Sequence, residues 1–163
     1  MYGFARRYYR TPLYGGFVRE SLSRYHVNGK ETTVNVYRLP VTGQQYEALE
    51  TMLTDMEQNR QHYLYNHLSA LSALVHKNVR VRDAYTCVEF CIRILKFLGL
   101  AVDPKKHYSV SDIEKLLQDY ISYTGPMPTN GEFDQAYYAK KPVPCPTLTT
   151  VYNLVKLLPR LGL

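Results

Sequence analysis

The chain has 163 residues, 45% of them hydrophobic and 21% charged, which suits a single folded domain with an apolar core and argues against intrinsic disorder. No stretch approaches the roughly 18 consecutive apolar residues of a membrane-spanning helix, and the N-terminus lacks the apolar run of a signal peptide. We therefore expect a cytoplasmic protein.

The formal net charge is +6, and the excess of positive over negative charge is concentrated at the two ends of the chain. Residues 1–30 carry six cationic side chains and one carboxylate, and no acidic residue follows Asp134. Such ends favour an anionic partner, such as nucleic acid, an acidic membrane surface or a cell-wall polymer. Solvated basic ends without a partner are the simpler interpretation.

Three cysteines, Cys87, Cys91 and Cys145, are too few for a disulfide framework, and an odd number fits a reducing compartment. The only close pair is Cys87 with Cys91, and no pair of histidines at ligand spacing accompanies it. We expect neither a metal site nor a cofactor.

The first third of the chain predicts little helix. Residues 1–31 contain turn-forming pairs without a helical period, which indicates loop with short strands. Residues 32–39 alternate, with Val34 and Val36 on one face, and this pattern predicts a strand that Pro40 ends.

Helical signals begin at Thr42. Gln45 follows it by three residues, the spacing of a capping box, and apolar residues then recur at helical intervals. A short buried helix is predicted within residues 63–74, and a basic loop or strand is predicted over 76–83.

The best-defined predicted element is the helix that begins at Cys87. Thr86 and Glu89 form a second capping box, and Gly99 is placed to end the helix. The predicted buried stripe consists of apolar residues at helical spacing, namely Val88, Cys91, Ile92, Leu95 and Leu98.

The last third of the chain predicts two helices separated by an irregular stretch. The first spans residues 111–120, with Ser111 as its cap and Glu114 three residues on. Residues 123–146 are rich in Pro and Gly and predict a surface excursion, and residues 147–163 predict an amphipathic helix. The element order indicates an α+β class with a short antiparallel sheet packed on helices.

Cys87 is the residue whose predicted position suggests chemistry. A helix N-terminus favours the thiolate, because unpaired N–H groups and the helix dipole stabilise negative charge there. The backbone N–H of the same residue is free to donate to an oxyanion. The simpler interpretation is a small buried residue at the start of a core helix.

Residues 85–90 (YTCVEF) resemble the segment that opens the nucleophile helix of permuted NlpC-type papain-like proteins, a branch of which is bacterial. Further segments resemble other parts of that family in the same order. They are residues 1–6 (MYGFAR), 13–20 (LYGGFVRE), 36–42 (VYRLPVT) and 63–66 (YLYN).

The resemblance implies a partial, circularly permuted papain-like fold over residues 1–122, with Cys87 as the catalytic nucleophile. In the permuted arrangement the catalytic histidine lies on a strand that precedes the segment resembling residues 1–6. That histidine and its polar orienting residue are therefore expected upstream of Met1.

None of the five histidines in the chain is predicted on an alternating strand, where the family places its base. Each is expected to be solvated or structurally satisfied. His107 follows Cys87 in sequence, with the nucleophile helix and a loop between them. The other four are His26, His62, His67 and His76.

The resemblance implies a thiol hydrolase or acyltransferase that forms a cysteine acyl-enzyme with an amide or ester, such as a cell-wall peptide or a lipid. The first alternative is a non-catalytic remnant of this fold that binds through its basic surface. The second is a basic helical nucleic-acid-binding domain, but the chain lacks a helix-turn-helix glycine pattern and its charges lie in the end segments. No specific nucleic-acid partner is expected.

Overall fold

The computed structural model describes residues 1–7, 14–20, 32–72, 79–127 and 146–161. Within these ranges the protein is a mixed α+β structure, which confirms the predicted class. The strands are β1 (Tyr2–Arg6), β2 (Gly15–Arg19), β3 (Thr33–Tyr37), β4 (Leu64–Tyr65), β5 (Ala84–Tyr85) and β6 (Ile121–Pro126). The helices are α1 (Gly43–Gln58), α2 (His67–Ser72), α3 (Cys87–Phe97), α4 (Val110–Leu117) and α5 (Pro146–Leu157).

The strands form a four-stranded sheet in the order β1-β2-β4-β5 and a separate β3-β6 pair. β1 and β2 are antiparallel, as are β2 and β4, whereas β4 and β5 are parallel, so the prediction of an antiparallel sheet is wrong for this last pair. The parallel register sets Tyr65 beside Tyr85. The last residue of β4 therefore lies next to the segment that leads into α3.

Glycine allows β2 to approach β4 closely. Gly15 and Gly16 are one of the turn-forming pairs in residues 1–31. In the structure both lie within β2, where Gly16 pairs with Leu64. A Cβ atom at Gly16 would overlap the carbonyl oxygen of Tyr63, and any larger residue would push the two strands apart.

An aromatic core fixes the start of α3 against the sheet. The ring of Phe4 lies 5.0 Å from that of Phe90 and 5.2 Å from that of Tyr85, measured between centroids. Phe17 and Met56 complete the buried cluster. Burial of a side chain of this size contributes about 1.5–3 kcal/mol, so the cluster holds the first turn of α3 in place.

Both predicted capping boxes that open α1 and α3 are confirmed. At α1 the Gln45 N–H donates to Thr42 Oγ1 at 3.2 Å, and the Thr42 N–H donates to Gln45 Oε1 at 2.9 Å. The Gln45 amide also donates to the carbonyl of Leu98, which joins the start of α1 to the end of α3. Gly99 follows with φ +91°, as predicted for a helix end.

The predicted start of α4 is wrong by two residues. Ser109, not Ser111, caps the helix, with Asp112 as the reciprocal partner at 2.8 Å from the Ser109 N–H. Hydrogen bonds from Ser109 hold the pKa of the Asp112 carboxyl below its usual range. This start buries Leu117 in a cluster with Ile92, Leu95 and Val102.

The predicted surface excursion begins too early. Residues 123–126 belong to β6, which pairs with β3, and residues 128–145 lie outside the described part of the chain. The β3-β6 register shifts between Val36 and Tyr37, and Val36 is exposed while Val34 is half-buried. The two valines therefore do not share one buried face as predicted.

The C-terminal helix is present as α5, followed by a 3-10 turn over Leu158–Arg160. Asn153 and Leu157 are its buried residues among those described. The five apolar residues at helical spacing in this segment are all exposed, namely Leu148, Val151, Tyr152, Val155 and Leu158. Across the described residues, no helix combines the length and apolar character needed to traverse a bilayer.

Candidate active site

Cys87 is the first residue of α3, as the sequence predicts, and it is exposed. The Glu89 N–H donates to Thr86 Oγ1 at 3.1 Å, and the Thr86 N–H donates to Glu89 Oε2 at 2.7 Å. The capping box thus fixes the first turn of α3 and keeps the thiol at the positive end of the helix dipole.

The cap of α3 is tied to α2 through Glu89. Ser69 Oγ donates to Glu89 Oε1 at 2.5 Å, so both carboxylate oxygens of Glu89 are engaged. Asn66, only 1% exposed, accepts from the Ser69 N–H at 3.0 Å and donates to the carbonyl of Val79 at 2.7 Å. This buried polar network gives the helix start a rigid support.

Tyr65 lines the same pocket as the nucleophile Cys87. Burial, reinforced by the negative charge of a Cys87 thiolate, raises the pKa of Tyr65 to about 12. The phenol therefore keeps its proton at physiological pH and can donate to the sulfur or to an oxyanion that forms beside it.

The thiol opens onto a small pocket of about 180 Å³. Its floor and walls come from α2, α3 and the loop between α3 and α4. The pocket is lined by Tyr65, Ser69, Ala70, Thr86, Cys87, Val88, Glu89, Ile92, Pro104, Lys106, His107 and Tyr108.

His107 shares this pocket with Cys87, which the sequence does not predict. The α3–α4 loop folds back along the helix and carries His107 to the pocket wall. His67 is buried, with its ring centroid 4.9 Å from that of Tyr65, and His62 is exposed. The remaining histidines, His26 and His76, lie outside the described residues.

The prediction that Cys91 lies in the core is wrong, because the residue as a whole is exposed. Phe90 takes the buried position instead. Although Cys91 is exposed, neighbouring atoms enclose its sulfur, and this burial raises the pKa of the thiol. The nearby Cys87 thiol raises it further.

The described part of the chain contains no cluster of side chains that could bind a metal ion. No group of three or more His, Cys, Asp or Glu residues there is arranged to hold an ion. The pocket offers a thiol, a phenol, an imidazole and cationic Lys106, which suit acyl or proton transfer.

Replacing Thr86 with alanine should destabilise the fold by about 0.5–2 kcal/mol, because the Glu89 N–H loses its acceptor. It should also slow alkylation of Cys87 by loosening the helix start. Urea denaturation and iodoacetamide labelling measure the two effects. Thr51→Ala, in the middle of α1, is the matched control, and because it removes no cap it should lower neither the midpoint nor the labelling rate. An unchanged midpoint and labelling rate in Thr86→Ala would contradict the capping role.

No protein-family model, curated protein or solved structure matches this chain. Inferences about its function therefore rest on the residues of the site alone.

Proposed function

We propose that this protein is a papain-like thiol hydrolase or acyltransferase in which Cys87 attacks the carbonyl carbon of an amide or ester. The observation that carries this proposal is the position of Cys87, exposed at the first residue of α3 and opening onto a pocket that also holds Tyr65 and His107. The proposed fold is a partial, circularly permuted papain-like domain. The mixed architecture, with α3 packed on a short sheet, is compatible with it.

The first step forms a carbon–sulfur bond between the Cys87 thiolate and the substrate carbonyl. The carbonyl π electrons move to oxygen. We assign the Cys87 N–H and the Tyr65 hydroxyl as hydrogen-bond donors to that oxyanion. Collapse of this intermediate breaks the bond to the leaving amine or alcohol, which takes up a proton. The product of this half-reaction is an acyl-Cys87 thioester.

His107 is the residue to which we assign the proton transfers. Histidine can accept and return a proton near neutral pH, and His107 is the only histidine among the described residues that lines the pocket. It would take the thiol proton of Cys87 and give it to the leaving group. In the second half-reaction it would take a proton from water or an acceptor hydroxyl, and that oxygen displaces the sulfur.

The pocket beside Cys87, at about 180 Å³, has room for only a small part of a substrate, so a bulky acyl group would not fit inside it. A carbonyl at the end of a peptide side chain or a lipid acyl ester would place such a group beside the thiol. Cell-wall peptides and lipids are the proposed substrate classes because the resemblance of residues 85–90 to the nucleophile segment of permuted NlpC-type proteins implies them. A basic nucleic-acid-binding domain is disfavoured by the cysteine-centred pocket.

Cys87 should be alkylated by iodoacetamide about tenfold faster than Cys91 in the folded protein. Cys87 is exposed at the start of α3, whereas burial raises the pKa of Cys91, and each unit by which a thiol pKa is raised lowers its thiolate fraction about tenfold. Mass-mapped labelling over time measures the rates, and urea-unfolded protein, in which the rates should converge, is the control. An inert Cys87 with Cys91 or Cys145 labelled first would support the non-catalytic remnant instead.

A further inference from the structure

A second and larger cavity, of about 550 Å³, lies beside the Cys87 pocket. The two share Glu89 and Pro104 as lining residues. The lining of the larger cavity comes mostly from the segment before β5, from α3 and from the α3–α4 loop.

Five cationic side chains converge on this cavity from three parts of the chain. Arg80 and Arg82 come from the segment before β5, Arg93 and Lys96 lie three residues apart on α3, and Lys105 belongs to the α3–α4 loop. Residues three apart share one face of a helix, so Arg93 and Lys96 point to the same side. The positive charge therefore results from tertiary folding and is separate from the basic chain ends.

The two carboxylates in the lining, Glu89 and Asp103, offset only part of this charge, because the lining holds five cations. Both oxygens of Glu89 accept hydrogen bonds at the start of α3, and Asp103 Oδ1 accepts from the Lys105 N–H at 2.8 Å. As far as the described residues extend, none of the five cations forms an ion pair. The guanidinium of Arg93 is held over the Tyr85 ring, 5.1 Å from its centroid, and so is oriented in advance.

We propose that this cavity binds a small ligand that carries two or more phosphate groups. Its volume lies within the range of about 300–1,000 Å³ typical of small-molecule sites. Three arginines supply planar donor pairs that match phosphate oxygens, and two lysines supply further positive charge. A long nucleic-acid strand is disfavoured, because the cations converge on one concavity and do not follow a strip along the surface.

Inorganic pyrophosphate is the probe for this site, and isothermal titration calorimetry should detect one site per chain. Arg82→Gln with Lys96→Gln should weaken binding at least about tenfold, because neither side chain makes a hydrogen bond or ion pair within the described structure and both would face the ligand. Binding should also weaken as salt is raised. Circular dichroism checks that the variant is folded.

The matched control is Arg38→Gln with Lys115→Gln, which removes the same charge from exposed positions outside the cavity. It should retain the affinity of the unmodified protein, and so should Cys87→Ala, since the site does not depend on thiol chemistry. If both double variants lose pyrophosphate affinity equally, the loss comes from the change in net charge and the proposal is wrong. So would the absence of pyrophosphate binding, citrate binding as tightly as pyrophosphate, or tight binding of single-stranded DNA without pyrophosphate binding.

Discussion

Cys87→Ala should abolish acylation of the protein by p-nitrophenyl acetate, lowering the rate at the active site by at least about 10³-fold. The reason is that Cys87 is the only thiol among the described residues that lines the pocket, and loss of a catalytic nucleophile removes the whole covalent route. Release of p-nitrophenolate measures the rate, and mass spectrometry of peptides locates the acetyl group. In the unmodified protein we expect that group on Cys87.

Cys91→Ala is the matched control for this experiment, because it removes a thiol one turn further along the same helix. Burial raises the pKa of Cys91, so its loss should leave the acylation rate within about twofold. If Cys91→Ala lowers the rate as far as Cys87→Ala, or if the acetyl group is found on Cys91, the assignment of the nucleophile is wrong.

Sequence predicts those elements of the fold that local interactions decide. The boxes of Thr42 with Gln45 and of Thr86 with Glu89 are closed within four residues, so the starts of α1 and α3 follow from the sequence. At α4, Ser109 and Ser111 both have an acidic residue three positions on. Local spacing does not choose between them, and with Ser109 as the cap the helix buries Leu117 against Ile92 and Leu95.

The residues of the candidate site also differ in how far the sequence predicts them. Cys87 was predictable, since its position depends on its own helix start. Tyr65 and His107 come to the Cys87 pocket through contacts between distant segments, namely the parallel β4-β5 pair and the fold of the α3–α4 loop. A segment resemblance at residues 63–66 was the one sequence signal near Tyr65. No signal marked His107, because a single histidine in a basic loop has many structural explanations.

Two hypotheses for the catalytic base compete. The family resemblance predicts a histidine upstream of Met1, whereas the pocket suggests His107. A histidine upstream predicts that residues 1–163 are acylated by activated esters and fail on ordinary amides. A functional His107 predicts that the same chain cleaves both. The two hypotheses differ because an amine leaving group needs a proton and p-nitrophenolate does not.

His107→Ala should therefore lower amide cleavage by about 10²–10⁴-fold while slowing acylation by the activated ester much less. A p-nitroanilide and a p-nitrophenyl ester of the same acyl group measure the two rates on one protein. A loss of folding would reduce both rates equally, so the change in their ratio reports the proton transfer itself. His62→Ala is the matched control, because His62 is exposed outside the pocket, and it should leave the ratio unchanged. If His107→Ala leaves the ratio unchanged while Cys87→Ala abolishes both reactions, Cys87 stands as the nucleophile and His107 does not carry the proton.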